Sequence, residues 1–210
     1  MNRFSKGFLL VLEGLDGAGK TTTSNLLTTK LRQKGFKVLQ TKEPGDSCIG
    51  STLRTLVNTT KENLEPLAEY LLFAADRAQH VQEIVRPALE RGEIVISDRM
   101  ADSSLAYQGY GRGLCSERIA LVNAWALGSI RPNLTVYLKL TTEEALMRIT
   151  KRNEQRTRFE EQNAFLERVK SGFDTLFATA SSTRLSVDGT KPPQEIVSII
   201  YHHILENSGR

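Results

Sequence analysis

The chain has 210 residues, of which 28 are Lys or Arg and 24 are Asp or Glu, giving a formal net charge of +4. This length suits one well-packed domain, and the small positive charge suits anionic ligands without requiring nucleic acid. The longest apolar run, around FLLVL, is far shorter than the roughly 20 residues of a membrane span. Cys48 and Cys115 lack metal-ligand spacing, and without a secretory leader they indicate a reducing compartment. We therefore expect one cytoplasmic domain that has neither nucleic acid nor a membrane as a partner.

Strand-like and helix-like segments alternate along the chain. Apolar strand patterns occur at 7–14 (GFLLVLEG), 36–41 (FKVLQT), 93–97 (EIVIS), 134–140 (LTVYLKL) and 183–187. Helical patterns occur at 26–32, 53–57, 67–89 and 196–205. This alternation predicts a single α/β domain over 1–210, an open parallel β-sheet of about five strands flanked by helices. The stretch SDRMADSSLAYQGYGRG, residues 97–113, is expected to form a connection after the third strand.

A phosphate-binding motif follows the first strand. GLDGAGKT matches the P-loop pattern G-x-x-x-x-G-K-[ST] and stands between a strand and a helix, the context that this motif requires. Its glycines let backbone amides wrap a phosphate chain, while Lys20 would reach the terminal phosphates and the Thr21 hydroxyl would ligate Mg²⁺. The residues predicted to hold a nucleoside triphosphate are Gly14, Leu15, Asp16, Gly17, Ala18, Gly19, Lys20 and Thr21.

The P-loop alone does not choose among kinases, GTPases and motor ATPases, because one fold hosts many functions. A GTPase normally carries an N-K-x-D motif that reads the base, and this sequence has none. Asp98 and Arg99 instead follow the strand EIVIS directly, at the carboxyl edge where open α/β sheets bind ligands. The fork of an arginine suits the dianion of an acceptor phosphate, so this pair favours a kinase.

Several motifs together resemble one family. They are EGLDGAGKTT, TKEPG at 41–45, LLFAADRAQH at 71–80, SDRMADSSLAYQG at 97–109, RTRFE ending at 160 and SVDGT at 186–190. The chain resembles the thymidylate kinases over nearly its whole length, and D-R-x-x-x-S-x-x-A-Y-Q-G is the most specific of these motifs. The resemblance implies transfer of the γ-phosphate of ATP to dTMP, giving dTDP and ADP for dTTP synthesis and DNA replication. It also implies Mg²⁺ as a cofactor and a homodimer.

The resemblance assigns the acceptor site. Arg99 would hold the phosphate of dTMP, Asp98 would lie beside Mg²⁺ or its water shell, and Asp16 would face the acceptor sugar and phosphate. Tyr107 would lie against the deoxyribose, where it disfavours a 2′-hydroxyl. The remaining residues expected to contact dTMP are Pro44 in a turn over the pocket, Arg54 near the phosphate, Phe73 and Arg77 beside thymine, and Ser103, Ser104 and Gln108 as hydrogen-bonding groups, with Ser104 at the position that contacts the base.

The sequence also departs from the family's usual motifs. Lys42, Asp46 and Ser47 replace residues of the R-E-P-G-G-T pattern, and Thr157 replaces an acid in the basic stretch. The sequence does not show what these changes do.

A basic segment is expected to act as a mobile lid at about 148–162. Residues 148–170 carry seven Lys or Arg, and phosphoryl transfer needs cations near the γ-phosphate. In the family an arginine comes either from the P-loop, at the position of Ala18, or from the lid. Because Ala18 is uncharged, the lid is expected to supply the arginine. Arg152 is the expected catalytic residue, and Arg156 and Arg158 are expected to contact ATP. Lys20, Arg99 and Asp16 complete the predicted catalytic set.

Two other readings stay open from the sequence. A deoxynucleoside kinase also carries an Asp-Arg pair after a strand, but it needs a carboxylate base beside the 5′-hydroxyl of a nucleoside. The acceptor phosphate of dTMP, with a second pKa of about 6, needs none. A nucleotide-operated switch would use the P-loop without any acceptor molecule. This alternative does not explain the AYQG stretch, since a switch needs no acceptor pocket.

Overall fold

The computed structural model describes residues 7–59, 64–151, 163–179 and 181–207. Within them five parallel strands form one sheet, in the order β2-β3-β1-β4-β5. The strands are β1 (Phe8–Glu13), β2 (Val38–Lys42), β3 (Ile94–Asp98), β4 (Leu134–Lys139) and β5 (Arg184–Asp188). The α/β fold with an open parallel sheet, predicted from the alternation of patterns, is confirmed.

The central strand β1 shows why these strands are apolar almost throughout. Its side chains alternate between the two faces of the sheet, and both faces are covered by helices. Leu10 and Leu12 belong to one core cluster with Leu27 and Ile200, whereas Leu9 and Val11 belong to a second cluster around Val81, Val85 and Ala88. All six residues of β1 are buried, Glu13 included.

The described helices are α1 (Lys20–Gln33), α2 (Gly50–Thr59), α3 (Pro66–His80), α4 (Arg86–Glu90), α5 (Ala101–Ser104), α6 (Ser116–Leu127), α7 (Thr142–Lys151), α8 (Asn163–Leu176) and α9 (Pro193–Asn207). The long helix predicted at 67–89 is present as α3 and α4, joined through a π-helical turn at Val81–Val85. None of these helices is long and apolar enough to cross a membrane.

Two segments differ from expectation. Residues 97–113, expected as a connection, contain α5 and a π-helix at Leu105–Gly111, because this segment packs closely on α8. A Cβ on Gly111 would come within 2.7 Å of the Phe165 ring, so only glycine allows this approach. In the predicted lid, residues 148–151 end α7, whereas 152–162, with Arg152, Arg156, Thr157 and Arg158, lie outside the described residues.

Candidate active site

A pocket of about 460 Å³ opens at the carboxyl edge of the sheet. The loops after β1, β2 and β3 meet there because the carboxyl ends of parallel strands share one edge. All nine residues expected to contact dTMP line it, although they come from four separate stretches of the chain: Pro44, Arg54, Phe73, Arg77, Arg99, Ser103, Ser104, Tyr107 and Gln108. Asp16, Gly17, Gly19, Lys20, Thr21 and Asp98 also line it. Their roles stay predictions.

The P-loop forms one side of this pocket. Its chain turns at glycines with positive φ, and α1 begins at Lys20, so the helix N-terminus points at the pocket. Leu15 and Ala18, each 1% exposed, pack behind the loop. The ammonium of Lys20 donates to the carbonyl oxygens of Gly14 at 3.2 Å and Leu15 at 2.9 Å. Burial, and then the charge of Arg99, lower the pKa of Lys20.

Thr21 and Asp98 meet at the corner between α1 and β3. The Thr21 hydroxyl donates to Asp98 Oδ2 at 2.9 Å, across 77 residues of chain. Both side chains present oxygen, the ligand type that Mg²⁺ prefers. In the part of the chain that the structure describes, no cluster of three His, Cys, Asp or Glu side chains is suited to hold a metal alone. The donor set therefore fits an ion such as Mg²⁺, which keeps phosphates and waters among its ligands.

Arg99 lies between the P-loop and the helical segment after β3. Its φ of 73° turns the chain sharply after the strand. The guanidinium donates to the Gly14 carbonyl at 3.0 Å through Nη1, to the Tyr107 hydroxyl at 3.1 Å through Nη2, and to the carboxylate of Asp16. Burial would lower the pKa of Arg99, but the neighbouring carboxylates, Asp16 foremost, raise it well above its ordinary value.

A buried carboxylate that the motif analysis missed supports this arrangement. Glu13, the last residue of β1, is fully buried and accepts from the backbone N–H groups of Met100 at 2.9 Å and Ser103 at 3.2 Å. Its Oε2 lies 2.5 Å from the Ser103 hydroxyl. Burial, and then the charge of Asp102, raise the pKa of Glu13 to about 7. The available signal was an acid at the end of an otherwise apolar strand, directly before the P-loop.

Phe73 and Arg77 project from α3 into the far end of the pocket. Arg77 is 2% exposed, and its Nε donates to Glu43 Oε2 at 2.9 Å. Nη1 donates to Asn123 at 2.7 Å, while Nη2 donates to the Ser104 hydroxyl at 3.0 Å. A charged side chain buried this deeply needs such partners, and they hold the guanidinium in one orientation.

Glu43 is a second carboxylate that the motif analysis did not single out. It lies in the TKEPG stretch and joins Arg77 to His80, whose Nδ1 is 2.7 Å from Glu43 Oε1. The other ring nitrogen of His80 is 2.6 Å from the Thr41 hydroxyl. The end of β2 is thereby fixed to α3, which sets the position of Pro44 over the pocket.

The residues that depart from the family's motifs pair with their neighbours. Lys42 and Asp46 form an ion pair of 3.4 Å, and the Ser47 hydroxyl donates to Asp76 Oδ1 at 2.6 Å. Arg54 donates to the Pro44 carbonyl at 3.2 Å. These contacts hold the turn after β2 together and attach it to α2 and α3.

A third buried carboxylate lies behind the π-helix. Glu69 on α3 is fully buried and accepts from Gln108 Nε2 at 3.1 Å and from Arg112 Nη2 at 2.9 Å. Tyr107, one residue earlier, directs its ring toward Phe165 and Phe173 of α8 and its hydroxyl toward Arg99. The sequence predicted that Tyr107 and Gln108 lie in the pocket. It did not predict that Glu69 binds Gln108.

The parallel sheet, the P-loop after its central strand and an adjoining pocket built around an arginine define the chain as a P-loop kinase that acts on a second small molecule. Comparison with known proteins narrows this class. The family model for thymidylate kinase matches residues 12–200. The chain therefore belongs to the thymidylate kinase family, as its motifs predicted.

Individual relatives agree over most of their length. The thymidylate kinase of a Synechococcus strain is 42% identical over 192 residues, which cover 91% of each chain. That of Deinococcus radiodurans is 42% identical over 203 residues, covering 96% of this chain and 98% of the relative. That of Halothermothrix orenii is 40% identical over 202 residues, covering 95% and 97%.

Proposed function

We propose that the pocket at the carboxyl edge is where this chain transfers the γ-phosphoryl group of ATP to dTMP, giving dTDP and ADP. This is the reaction of the thymidylate kinase family and a step in dTTP synthesis, so family membership confirms the activity predicted from the sequence. One observation supports this pocket as the site. Arg99 contacts the first residue of the P-loop at 3.0 Å and the Tyr107 hydroxyl at 3.1 Å, so a single guanidinium adjoins both the ATP side and the acceptor side.

Catalysis at this site is mainly a matter of placing two anions. The P-loop amides and Lys20 bind the β- and γ-phosphates, and the Lys20 ammonium exchanges its backbone contacts for phosphate oxygens. Arg99 binds the phosphate of dTMP in place of its contact with Asp16, whose carboxylate then faces the sugar. Thr21 and Asp98 would hold Mg²⁺, which would neutralise charge on the phosphates of ATP.

The nucleophile is the phosphate oxygen of dTMP, which is already largely ionised at neutral pH. A proton therefore need not be removed by the protein. Glu13, the buried carboxylate nearest to Arg99, has its oxygens occupied by Met100 and Ser103, so it serves the framework of the site. The deoxynucleoside kinase alternative, which needs a carboxylate directed at a hydroxyl group, gains no support from the family match.

The lid remains part of the proposal. Arg152 would place its charge near the γ-phosphate, with Arg156 and Arg158 on ATP, but all three lie outside the described residues. Ala18, at the P-loop position where some members carry an arginine, is buried and uncharged. This supports a catalytic cation supplied from 152–162, a segment that joins α7 to α8 within the proposed single domain.

Homodimer formation and a cytoplasmic location also stay predictions. Leu67 and Leu71 on α3, and Leu121 and Trp125 on the adjacent α6, are exposed apolar side chains. Exposed apolar groups on two neighbouring helices suit a contact with a second copy of the chain. The free cysteines Cys48 and Cys115 are exposed, which suits a reducing compartment.

The direct test is ADP formation from Mg·ATP with dTMP, dUMP, UMP, CMP, AMP or thymidine as acceptor. We expect stimulation chiefly by dTMP, and loss of that stimulation in Arg99→Ala. Stimulation by thymidine instead would favour a deoxynucleoside kinase, and ADP release independent of any acceptor would favour a nucleotide switch.

A further inference from the structure

The contact between Glu69 and Gln108 fixes which end of the Gln108 amide faces the pocket. Glu69 is fully buried, and its two oxygens accept from different donors, Gln108 Nε2 at 3.1 Å and Arg112 Nη2 at 2.9 Å. A carboxylate paired with a guanidinium only accepts hydrogen bonds. The amide nitrogen of Gln108 must therefore point at Glu69, and this orientation follows from chemistry rather than from the assignment of amide atoms.

The opposite end of the amide is then set as well. Gln108 lines the active-site pocket, as Phe73 and Arg77 do. Among the residues that the structure describes, no donor contacts Gln108 Oε1, whereas Nε2 is engaged by Glu69. The Gln108 amide therefore offers the pocket a hydrogen-bond acceptor, while its nitrogen is directed toward Glu69.

We propose that Glu69 is a positioning residue that sets base specificity, by holding the Gln108 amide so that its oxygen receives an N–H group of the acceptor base. Thymine and uracil carry such a group at N3, whereas N3 of cytosine is itself an acceptor. Two acceptors facing each other leave both unsatisfied in a buried site, which is a strong basis for rejection. The inference rests on the proposed function, because it places the base of dTMP at this end of the pocket.

Replacing Glu69 by glutamine gives a sharp expectation. Arg112 donates only, so it keeps the oxygen of the new amide and leaves the new NH₂ group facing Gln108. Gln108 then turns over to accept from that NH₂ group, and its own nitrogen faces the pocket. A donor now meets the base, which suits N3 of cytosine and opposes the N–H of thymine.

The experiment measures kcat/KM for dTMP, dUMP and dCMP in the wild type, Glu69→Gln, Gln108→Met and the double variant. Ratios between substrates for one enzyme sample do not depend on the fraction that folds. In Glu69→Gln we expect the dTMP to dCMP ratio to fall by roughly ten- to a hundredfold. The dTMP to dUMP ratio should not change, because both bases carry the same N3–H. Glu83→Gln, the same change on an exposed acid between α3 and α4, should leave both ratios unchanged.

The double variant shows whether Glu69 acts by positioning Gln108 or by a general effect on the pocket. If Glu69 acts through Gln108, Glu69→Gln should have no further effect on the ratio once Gln108 is methionine. An unchanged dTMP to dCMP ratio in Glu69→Gln, or an equal fall in the Gln108→Met background, would overturn the inference. If Glu69→Gln yields no folded protein, an unchanged ratio in Gln108→Met still overturns the inference, because Glu69 is proposed to act only through Gln108. Failure of the wild type to use dTMP would instead count against the proposed function.

Discussion

Arg99 and Ser103 form a hydrogen bond of 3.0 Å in which the guanidinium donates and the hydroxyl accepts. When Glu13 is ionised, the hydroxyl is free to accept because its single hydrogen points to Glu13 Oε2, 2.5 Å away. Ser103 thus transmits the position of a buried carboxylate to the arginine proposed to bind the acceptor phosphate. Its predicted hydrogen bond to the pyrimidine would have to use the hydroxyl as an acceptor.

Arg99→Ala should mainly impair the use of dTMP. The guanidinium is charged and partly buried, and a lost hydrogen bond to a charged group costs about 1.5–3 kcal/mol. We expect KM for dTMP to rise by roughly ten- to a hundredfold, with a smaller change in KM for ATP. Steady-state kinetics with each substrate varied in turn will check this, and Arg99→Lys, which keeps the charge but not the fork, should recover only part of the loss.

Arg152→Ala should mainly lower turnover. An arginine that stabilises charge in the transition state is worth roughly a thousandfold or more in kcat. We expect kcat to fall by this order while KM for dTMP changes little, the reverse of the pattern for Arg99→Ala. Small and equal effects of the two substitutions would contradict both role assignments.

Thr21→Val should weaken the binding of Mg²⁺. The hydroxyl that meets Asp98 at 2.9 Å is replaced by a methyl group of similar size, so the oxygen ligand is lost. We expect the Mg²⁺ concentration for half-maximal activity to rise about tenfold, as for the loss of one of few protein ligands. A titration of Mg²⁺ at fixed ATP measures this, and Thr21→Ser, which keeps the hydroxyl, serves as the control.

Glu13 should make stability fall as pH rises through neutrality. The folded protein holds the proton of Glu13 up to a pKa of about 7, whereas the unfolded chain releases it near 4.5. Between these values the folded state binds more protons, so the free energy of unfolding decreases with increasing pH. The loss attributable to Glu13 approaches about 3 kcal/mol above pH 7.

Urea denaturation of the wild type and Glu13→Gln from pH 4.5 to 8.5 isolates this contribution. Glutamine has no charge to bury, so the wild type should lose stability relative to the variant as pH increases. Parallel stability curves for the two proteins would show that Glu13 does not titrate in this range.

Trp125→Glu together with Leu121→Glu should convert a dimer into a monomer. Trp125 is 86% exposed and Leu121 71% exposed on α6, so charge at these positions leaves the folded chain unstrained but opposes burial against a second copy. Sedimentation velocity at micromolar concentration will report the state. Met147→Glu changes an exposed apolar residue on α7 instead and should leave the assembly intact.

The sequence predicted the sheet and most of the pocket because both depend on local patterns. Buried parallel strands appear as continuous apolar runs, and the P-loop and Asp98–Arg99 follow such runs directly. The buried carboxylates were missed because their partners are remote: Glu13 meets Ser103 across 90 residues, Glu69 meets Gln108 across 39, and Glu43 meets Arg77 across 34. No local spacing reveals a pair of this kind.

The helical form of 101–111 was missed for a different reason. Serine, glycine and tyrosine are weak helix formers, so local propensity favours a connection. Packing against α8 decides the outcome, with Phe165 and Val169 against Gly111 and the Arg168 guanidinium donating to the Gly111 carbonyl at 3.0 Å. Tertiary contacts of this kind override propensity.

The backbone at Arg99 carries strain that its own side chain offsets. A left-handed φ, here 73°, costs a residue with a Cβ atom about 1 kcal/mol relative to glycine. Glycine would relax that backbone, but it would also remove the guanidinium and its hydrogen bonds to Gly14, Ser103 and Tyr107. The loop after β3 therefore keeps its sharp turn because the same arginine joins it to the P-loop and to the π-helix.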